Sequence, residues 1–464
     1  MIDYSLLVTQ NPWWQNRDLI DEDSHIQEFS GSAVRYWPKS ILDLPLKKGA
    51  TNVVYGPRQT GKTTALKLLI KSLLAKQISP ERILYFNCDV LDSKKDVVDL
   101  ISSFFEGIRT SPDKIPPNFL FLDEISSVTD WPYAIKWLAD AGLLKNSKII
   151  LSGSSSISFK KSGEFLPGRR KGGKDIRFLP ITFLDYFNLL FPKLSLKKPI
   201  SSFSELKILE KRFKRRGINL NQIYRDFLLT GGFLKMINLF VRRNSFFEAV
   251  ELYKNTLKSE LAKFGKREIY ARRVLDKIIG SLTSETSYTN VAEEAELGSK
   301  NTAADYLGFF GDSFFLTEAL FYSIPQKRAV VKKNKKYYPV DPFLFWVFNC
   351  FVTGSNQVEE FYRRYLQPPL DSRITEAFVA SELYKQGLEF YFFKNSRELD
   401  FYIPKENLGV EVKYTLRVVS ADLKGLKYAK RKILVSKDLL EERGGIFIIP
   451  VFLFGLIDLK RFAR

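Results

Sequence analysis

The stretch from Val53 to Ile70, VVYGPRQTGKTTALKLLI, constrains this chain more than any other. An apolar run ends at Tyr55, a polar loop bracketed by glycines follows, and a helix-forming stretch opens at Lys62. Gly56, Pro57, Arg58, Gln59, Thr60, Gly61, Lys62, Thr63 and Thr64 contain the pattern G-x-x-x-x-G-K-[ST], a phosphate-binding loop between a strand and a helix. Glycines let the backbone curl so that several N–H groups point inward, and the helix N-terminus adds partial positive charge. Together they make a nest for a chain of phosphates. Lys62 is expected to reach the β- and γ-phosphates of ATP, and Thr63 to ligate Mg²⁺.

A loop of this kind needs a sheet to hold it. TNVVYG before the loop, RILYFNCD at 82–89, NFLFLDEI at 118–125 and SKIILSGSS at 147–155 are apolar runs separated by helical stretches. That alternation predicts parallel strands with crossover helices, an α/β sandwich of the P-loop type. The third run ends in Asp123 and Glu124, the expected second half of the nucleotide site. Asp123 would hold Mg²⁺, and Glu124 would act as general base on the attacking water. Ser152 and Ser154, at the end of the fourth run, are candidates to sense the γ-phosphate. In LPGRR, at 166–170, Arg169 is the candidate arginine finger acting on a neighbouring copy.

Composition narrows the rest. Lys and Arg total 72 against 52 Asp and Glu, a net charge of +20. This favours a polyanionic partner, either nucleic acid such as DNA or an anionic membrane surface. Two cysteines, Cys88 and Cys350, and a single histidine, His25, exclude zinc-finger and disulfide frameworks and speak against Ser-His or Cys-His catalysis. Any catalytic metal then falls to carboxylates, which suit Mg²⁺. The longest apolar run, Gly444 to Ile457, is interrupted by Pro450 and is too short to span a bilayer. No signal peptide is read at the start, and a cytoplasmic protein without stable membrane insertion is expected.

Five segments are expected. Residues 1–47 form an N-terminal arm whose Trp13 and Trp14 pack onto a core. The P-loop ATPase domain spans 48–185. A helical lid follows at 186–280 and carries the basic run KRFKRR at 211–216. Residues 281–345 read as a winged helix-turn-helix. One helix there meets a turn at Gly298, and Ser299 caps a second helix that presents Lys300 and Asn301. Candidate strands EALFYSI and YYPVD flank KKNKK at 332–336, expected as a basic wing.

The last segment, 346–464, opens in a buried helical stretch and then runs helix, strand, strand, strand. Glu376 lies on the helix RITEAFVASELYKQ, Asp400 on ELDFYIP, and Glu411 and Lys413 on GVEVKYT. Positions i and i+2 of a strand share a face, so Glu411 and Lys413 project together, and Asp400 on the adjoining strand reaches the same spot. Such a D…E-x-K set, with Glu376 as a fourth acidic member, is the arrangement of a Mg²⁺-dependent nuclease site, with Asp400 and Glu411 as metal ligands.

Taken in order, GPRQTGKTT, FLDEI, LSGSSS, LPGRR with FLPITFLDYF, TGGF, ELDFYI and GVEVKY resemble a family of archaeal and bacterial AAA-type ATPases. That family joins a P-loop domain to a winged helix and a C-terminal domain of restriction-nuclease type, of the PD-(D/E)XK pattern. The resemblance covers nearly everything beyond the first 40 residues. It implies ATP hydrolysis and DNA association, and by analogy a homo-oligomer such as a hexamer. The sequence departs from the family in a lengthened basic RRKGGKD segment after Gly168, which leaves the finger arginine open. The first functional reading is ATP-driven processing of DNA with a nuclease-like domain. The alternatives are an ATP-gated switch or transcription factor with an inert nuclease fold, and a remodelling ATPase held by charge at a membrane surface.

Overall fold

The computed structural model describes residues 4–107, 117–154, 172–394 and 398–462. The chain forms two compact units, Met1–Leu179 and Pro180–Arg464.

The first unit is built on a five-stranded parallel sheet of β1 (Thr51–Tyr55), β2 (Ile83–Asn87), β3 (Asn118–Asp123), β4 (Ser147–Gly153) and β5 (Asp175–Arg177). Its order is β2-β3-β4-β1-β5, with every pairing parallel. Four of these strands are the four apolar runs of the sequence. The short edge strand β5 has only three residues and too little pattern to be read in advance.

The strands are apolar on both faces because each face is covered. Side chains alternate across the sheet: Val53, Leu84, Phe86, Leu120 and Leu122 enter one core with the helices Lys94–Gly107 and Trp131–Asp140. Val54, Ile83, Tyr85, Phe119 and Phe121 enter the other with the helix Lys62–Ala75. Each buried Leu or Phe contributes roughly 1.5–3 kcal/mol.

The N-terminal arm belongs to this sandwich. Leu7 joins the first core, and Trp13, Ile20, Ile26 and Ile41 the second. Trp13 and Trp14 each donate an indole N–H to the carbonyl of Ile83, at 3.1 and 2.9 Å. Asn11 clamps Tyr85, accepting from its N–H at 2.6 Å and donating to its carbonyl at 2.9 Å. The arm thus satisfies backbone groups of β2, a strand at the sheet's edge.

The second unit opens with helices Phe183–Leu190, Phe203–Arg215, Leu220–Thr230, Leu234–Val241, Phe247–Lys263 and Glu268–Gly280. Two capping boxes, Thr182 with Asp185 and Ser202 with Glu205, start the first two. The basic run at 211–216 is a solvated helix end that buries Phe213 and exposes Lys211, Arg212, Lys214, Arg215 and Arg216. Helices Tyr288–Glu294 and Lys300–Asp312 follow, and Ser299 caps the second by accepting from the Thr302 N–H.

A nine-stranded mixed sheet completes this unit. Its strands are β6 (Leu316–Ser323), β7 (Arg328–Ala329), β8 (Lys335–Pro339), β9 (Tyr391–Lys394), β10 (Glu398–Ile403), β11 (Leu408–Lys413), β12 (Arg431–Ser436), β13 (Glu441–Arg443) and β14 (Ile446–Pro450). The order is β13-β14-β12-β11-β10-β9-β6-β7, with β8 also on β6. Strands from both sides of residue 345 therefore share one sheet, joined by the parallel pairing of β6 with β9. The helix Pro342–Thr353 is buried along nearly its whole length, and Leu370–Lys385 packs against β8 and β11.

One expectation is corrected here. KKNKK at 332–336, expected as a basic wing, exposes Lys332 and Lys333, but Lys335 and Lys336 lie inside β8 and are 4% and 2% exposed. Antiparallel pairing of Leu316–Leu320 with Lys335–Pro339 sets the register, and carboxylates inside the unit accept the Lys336 charge.

Candidate functional site

The phosphate-binding loop leaves the carboxyl end of β1, next to β4, where open parallel sheets place their ligands. Gly56 has to be glycine: a Cβ there would lie 2.0 Å from the Phe178 carbonyl oxygen. Gly61 stands at φ +91°, and Gln59 also takes a left-handed conformation at φ 63°. Pro57 and Thr60 are tied together by a 2.8 Å bond from the threonine hydroxyl to the proline carbonyl, with Arg58 between them in the loop. Lys62, Thr63 and Thr64 begin the helix, whose first amides have no partner within the helix.

The expected chemistry groups converge on this loop. The buried Lys62 ammonium donates to the Gly56 and Pro57 carbonyls, both at 3.0 Å, and lies 3.7 Å from Glu124 Oε1. The Thr63 hydroxyl donates to Asp123 Oδ2 at 2.7 Å. Ser152 donates to Asp123 Oδ1 and accepts from the Glu124 N–H at 3.2 Å. Glu124 stands at φ 51°, the left-handed region. Its Oε2 and the Ser154 hydroxyl are buried without a hydrogen-bond partner among the described residues. A buried orphan of that kind costs free energy until something polar arrives. Arg169 lies outside the described residues.

Sequence reading missed one side of this site. Tyr85, on β2, donates its hydroxyl to the same Asp123 Oδ2 that takes Thr63, at 2.9 Å. Burial and the Asp123 charge both raise its pKa, so it stays a protonated donor. The Lys67 ammonium lies 3.5 Å from the Tyr85 ring centroid and 5.0 Å from that of Trp13, and pairs with Asp23 of the arm at 3.0 Å. Burial lowers the Lys67 pKa, against the pull of Asp23. The available signal was a lone charged residue inside ALKLLI, where helical spacing turns it inward.

The second cluster lies in the second unit. Asp400 Oδ2 accepts from the Val412 N–H at 2.8 Å, and the Asp400 N–H donates to Glu411 Oε2 at 3.4 Å. Lys413 donates to Glu411 Oε1 at 2.6 Å. Glu376 accepts from the Tyr338 hydroxyl at 2.7 Å and from Lys336 at 3.2 Å. The four expected residues therefore come together, joined by Lys336 and Tyr338, which sequence reading did not assign. These two are i and i+2 on β8, a spacing legible only once the strand is known.

Burial and Asp400 raise the Glu376 pKa to about 7, against the pull of Lys336. Burial and Asp400 likewise raise that of Glu411 to about 8, against Lys413. Burial opposes the charge on Lys413, but Asp400 and Glu411 outweigh it and raise its pKa. Among the described residues, no three His, Cys, Asp or Glu side chains gather so as to hold a metal ion.

A third polar group is structural. The buried Asp341 carboxylate accepts from the Gly232 N–H at 2.8 Å and pairs with Lys385 at 2.7 Å, and Lys385 donates to the Ile181 carbonyl at 3.2 Å. This joins the FLPIT and TGGF segments. A Cβ at Gly231 would fall 1.8 Å from Asp341 Oδ1.

The family described as an AAA domain matches residues 48–187, and two families described as domains of unknown function match 221–349 and 372–451. No curated protein sequence matches the chain. Among solved structures, a Walker-type ATPase of Pyrococcus abyssi is 14% identical, with 72% of this chain and 97% of that one covered at a TM-score of 0.40. The ORC2 protein of Aeropyrum pernix in its ADP form is 13% identical, with 73% and 93% covered at 0.34. The Aeropyrum pernix ORC1 protein in complex with DNA is 14% identical, with 77% and 98% covered at 0.30. Among the described residues no helix is long and apolar enough to cross a membrane. Residues 48–187, with their parallel five-stranded sheet and phosphate-binding loop, are an AAA-type P-loop ATPase domain, and the chain is an ATP hydrolase.

Proposed function

We propose that the chain is a Mg²⁺-dependent ATPase that binds DNA and uses nucleotide turnover to remodel it or move along it. The observation that carries the nucleotide half is the meeting of Lys62, Thr63, Asp123 and Glu124 at the carboxyl end of one parallel sheet. Thr63 and Asp123 would hold Mg²⁺: their oxygens are 2.7 Å apart, and hydroxyl plus carboxylate is the donor set this ion takes. The ion supplies charge neutralisation on the phosphates. Lys62 would leave the Gly56 and Pro57 carbonyls for phosphate oxygens, and Glu124, with one oxygen unpartnered among the described residues, would orient and deprotonate water. Ser154 is the better candidate to sense the γ-phosphate, because Ser152 is already committed to Asp123. Arg169 remains the proposed finger, which requires a homo-oligomer.

The DNA half rests on the charge of +20 and on a winged-helix reading of 281–345, in which Lys300 and Asn301 are exposed at the start of the capped second helix. A cytoplasmic setting goes with this reading. For the C-terminal segment two readings compete, a nuclease and an inert nuclease fold serving as a binding platform in an ATP-gated switch. The presence of Lys336 among the acidic residues supports the second.

The test is phosphate release by the purified chain, with and without single-stranded, duplex and branched DNA, across a salt series. Stimulation by DNA that falls steeply with salt is expected. Turnover and electrophoretic mobility both indifferent to DNA would sink the proposal.

A further inference from the structure

The second unit holds a buried cation where the sequence pattern D…E-x-K calls for a metal. Lys336 is 2% exposed. Its ammonium lies 2.8 Å from Glu398, 3.2 Å from Glu376 and 3.7 Å from Asp400 Oδ1. The carboxylate oxygens expected to ligate Mg²⁺ lie among cations and N–H donors. Asp400 Oδ1 faces Lys336 and Oδ2 takes the Val412 N–H. Glu411 Oε1 takes Lys413 and Oε2 takes the Asp400 N–H. Tyr338 adds a further donor to Glu376.

Mg²⁺ requires about six oxygens at roughly 2.0–2.1 Å in near-octahedral order. Here it would have to share a low-dielectric pocket with the Lys336 ammonium, which repels it. The residues present do not fit the ion that the pattern implies.

We propose that Lys336 is the resident cation of this cluster, taking the place of a divalent metal, so that the C-terminal segment neither loads Mg²⁺ at Asp400 and Glu411 nor cuts DNA through it. The lysine comes from β8, on the far side of residue 345 from the acidic strands. The pairing of β6 with β9 is what brings the two halves of the site into one sheet. This assignment stands on the second unit alone and is independent of what nucleotide turnover drives.

The test is a Mn²⁺ titration of the nucleotide-free full-length chain, read by the loss of the free-ion electron paramagnetic resonance signal. Wild type and Asp400→Asn should titrate identically. A saturable site in wild type that Asp400→Asn loses would overturn the proposal. Lys336→Met, checked for folding by circular dichroism, should gain one Mn²⁺ per chain with at least tenfold tighter binding. That gain should vanish in Lys336→Met with Asp400→Asn. A folded Lys336→Met that gains no site also overturns the proposal. If Lys336→Met does not fold, the comparison of wild type with Asp400→Asn decides alone. As an independent readout, wild-type protein should leave DNA uncut in both Mg²⁺ and Mn²⁺.

Discussion

Tyr85 donates its phenolic hydrogen to Oδ2 of Asp123, 2.9 Å away, and so shares that oxygen with the hydroxyl of Thr63. The carboxylate proposed to face Mg²⁺ is therefore held from two strands and one helix at once. Tyr85 is held in turn by Asn11 at its backbone and by Lys67 against its ring. Tyr85 thus positions Asp123, and the N-terminal arm stands behind it.

Tyr85→Phe keeps the ring and deletes the bond. A hydrogen bond to a charged group is worth about 1.5–3 kcal/mol. The expected outcome is a folded protein whose half-maximal Mg²⁺ concentration for ATP turnover rises several-fold, while maximal turnover at saturating Mg²⁺ changes less. A Mg²⁺ titration of phosphate release checks it, and an unchanged Mg²⁺ requirement would leave Tyr85 a packing residue only.

Asp23→Asn should cost more than its surface-proximal position suggests. Lys67 is 4% exposed, and Asp23 is the carboxylate that pairs with it, at 3.0 Å. Removing one partner of a buried ion pair costs about 3–5 kcal/mol, because a charge is left in low dielectric. Thermal melts should show a lowered midpoint. Asp23→Asn combined with Lys67→Met should recover part of the loss, since the stranded charge is then gone.

Lys62→Ala should abolish ATP hydrolysis without disturbing the fold, because among the described residues its ammonium bonds loop carbonyls and faces Glu124. Glu124→Gln should still bind ATP while turnover falls by about 10²–10⁴, the usual range for a general base. Nucleotide binding by fluorescence and phosphate release measured side by side separate the two effects. Normal turnover in either variant contradicts the site.

The second unit should lose stability as pH rises from weakly acidic to neutral. Burial raises the Glu382 pKa from 4.5 to about 7, with Lys385 and the Phe183 N–H pulling it down and Asp341 and Asp185 pushing it up. A carboxyl whose folded pKa lies above its unfolded value binds more protons when folded. Its contribution is therefore present in full below about pH 4.5 and is lost as pH climbs through about 7. Glu376 and Glu411, with pKa values raised in the same direction, add to the slope. Denaturant midpoints measured between pH 5 and 8 should fall, and Glu382→Gln should flatten part of that fall. A midpoint that rises with pH would count against this assignment.

What the sequence determined by itself is local. A glycine-bracketed turn beside Lys62 and Thr63, four apolar runs of strand length, and the acidic end of β3 are legible because each is set by backbone geometry within a few residues. The pairing of Glu411 with Lys413 follows from strand periodicity in the same way, and Ser299 as a cap from turn chemistry. The tertiary structure decided the rest. Tyr85 reaches Asp123 across 38 residues, and Lys336 reaches Glu376 across 40. Such partners are set by which strands neighbour one another and in what register, and a lysine in KKNKK carries no mark of whether its strand will turn it toward water or toward buried carboxylates. A buried charge must find its counter-charge wherever the fold places one, so Lys336, one lysine of the run that reads as a basic wing, becomes the buried cation of an acidic cluster, while Lys332 and Lys333 of the same run stay exposed.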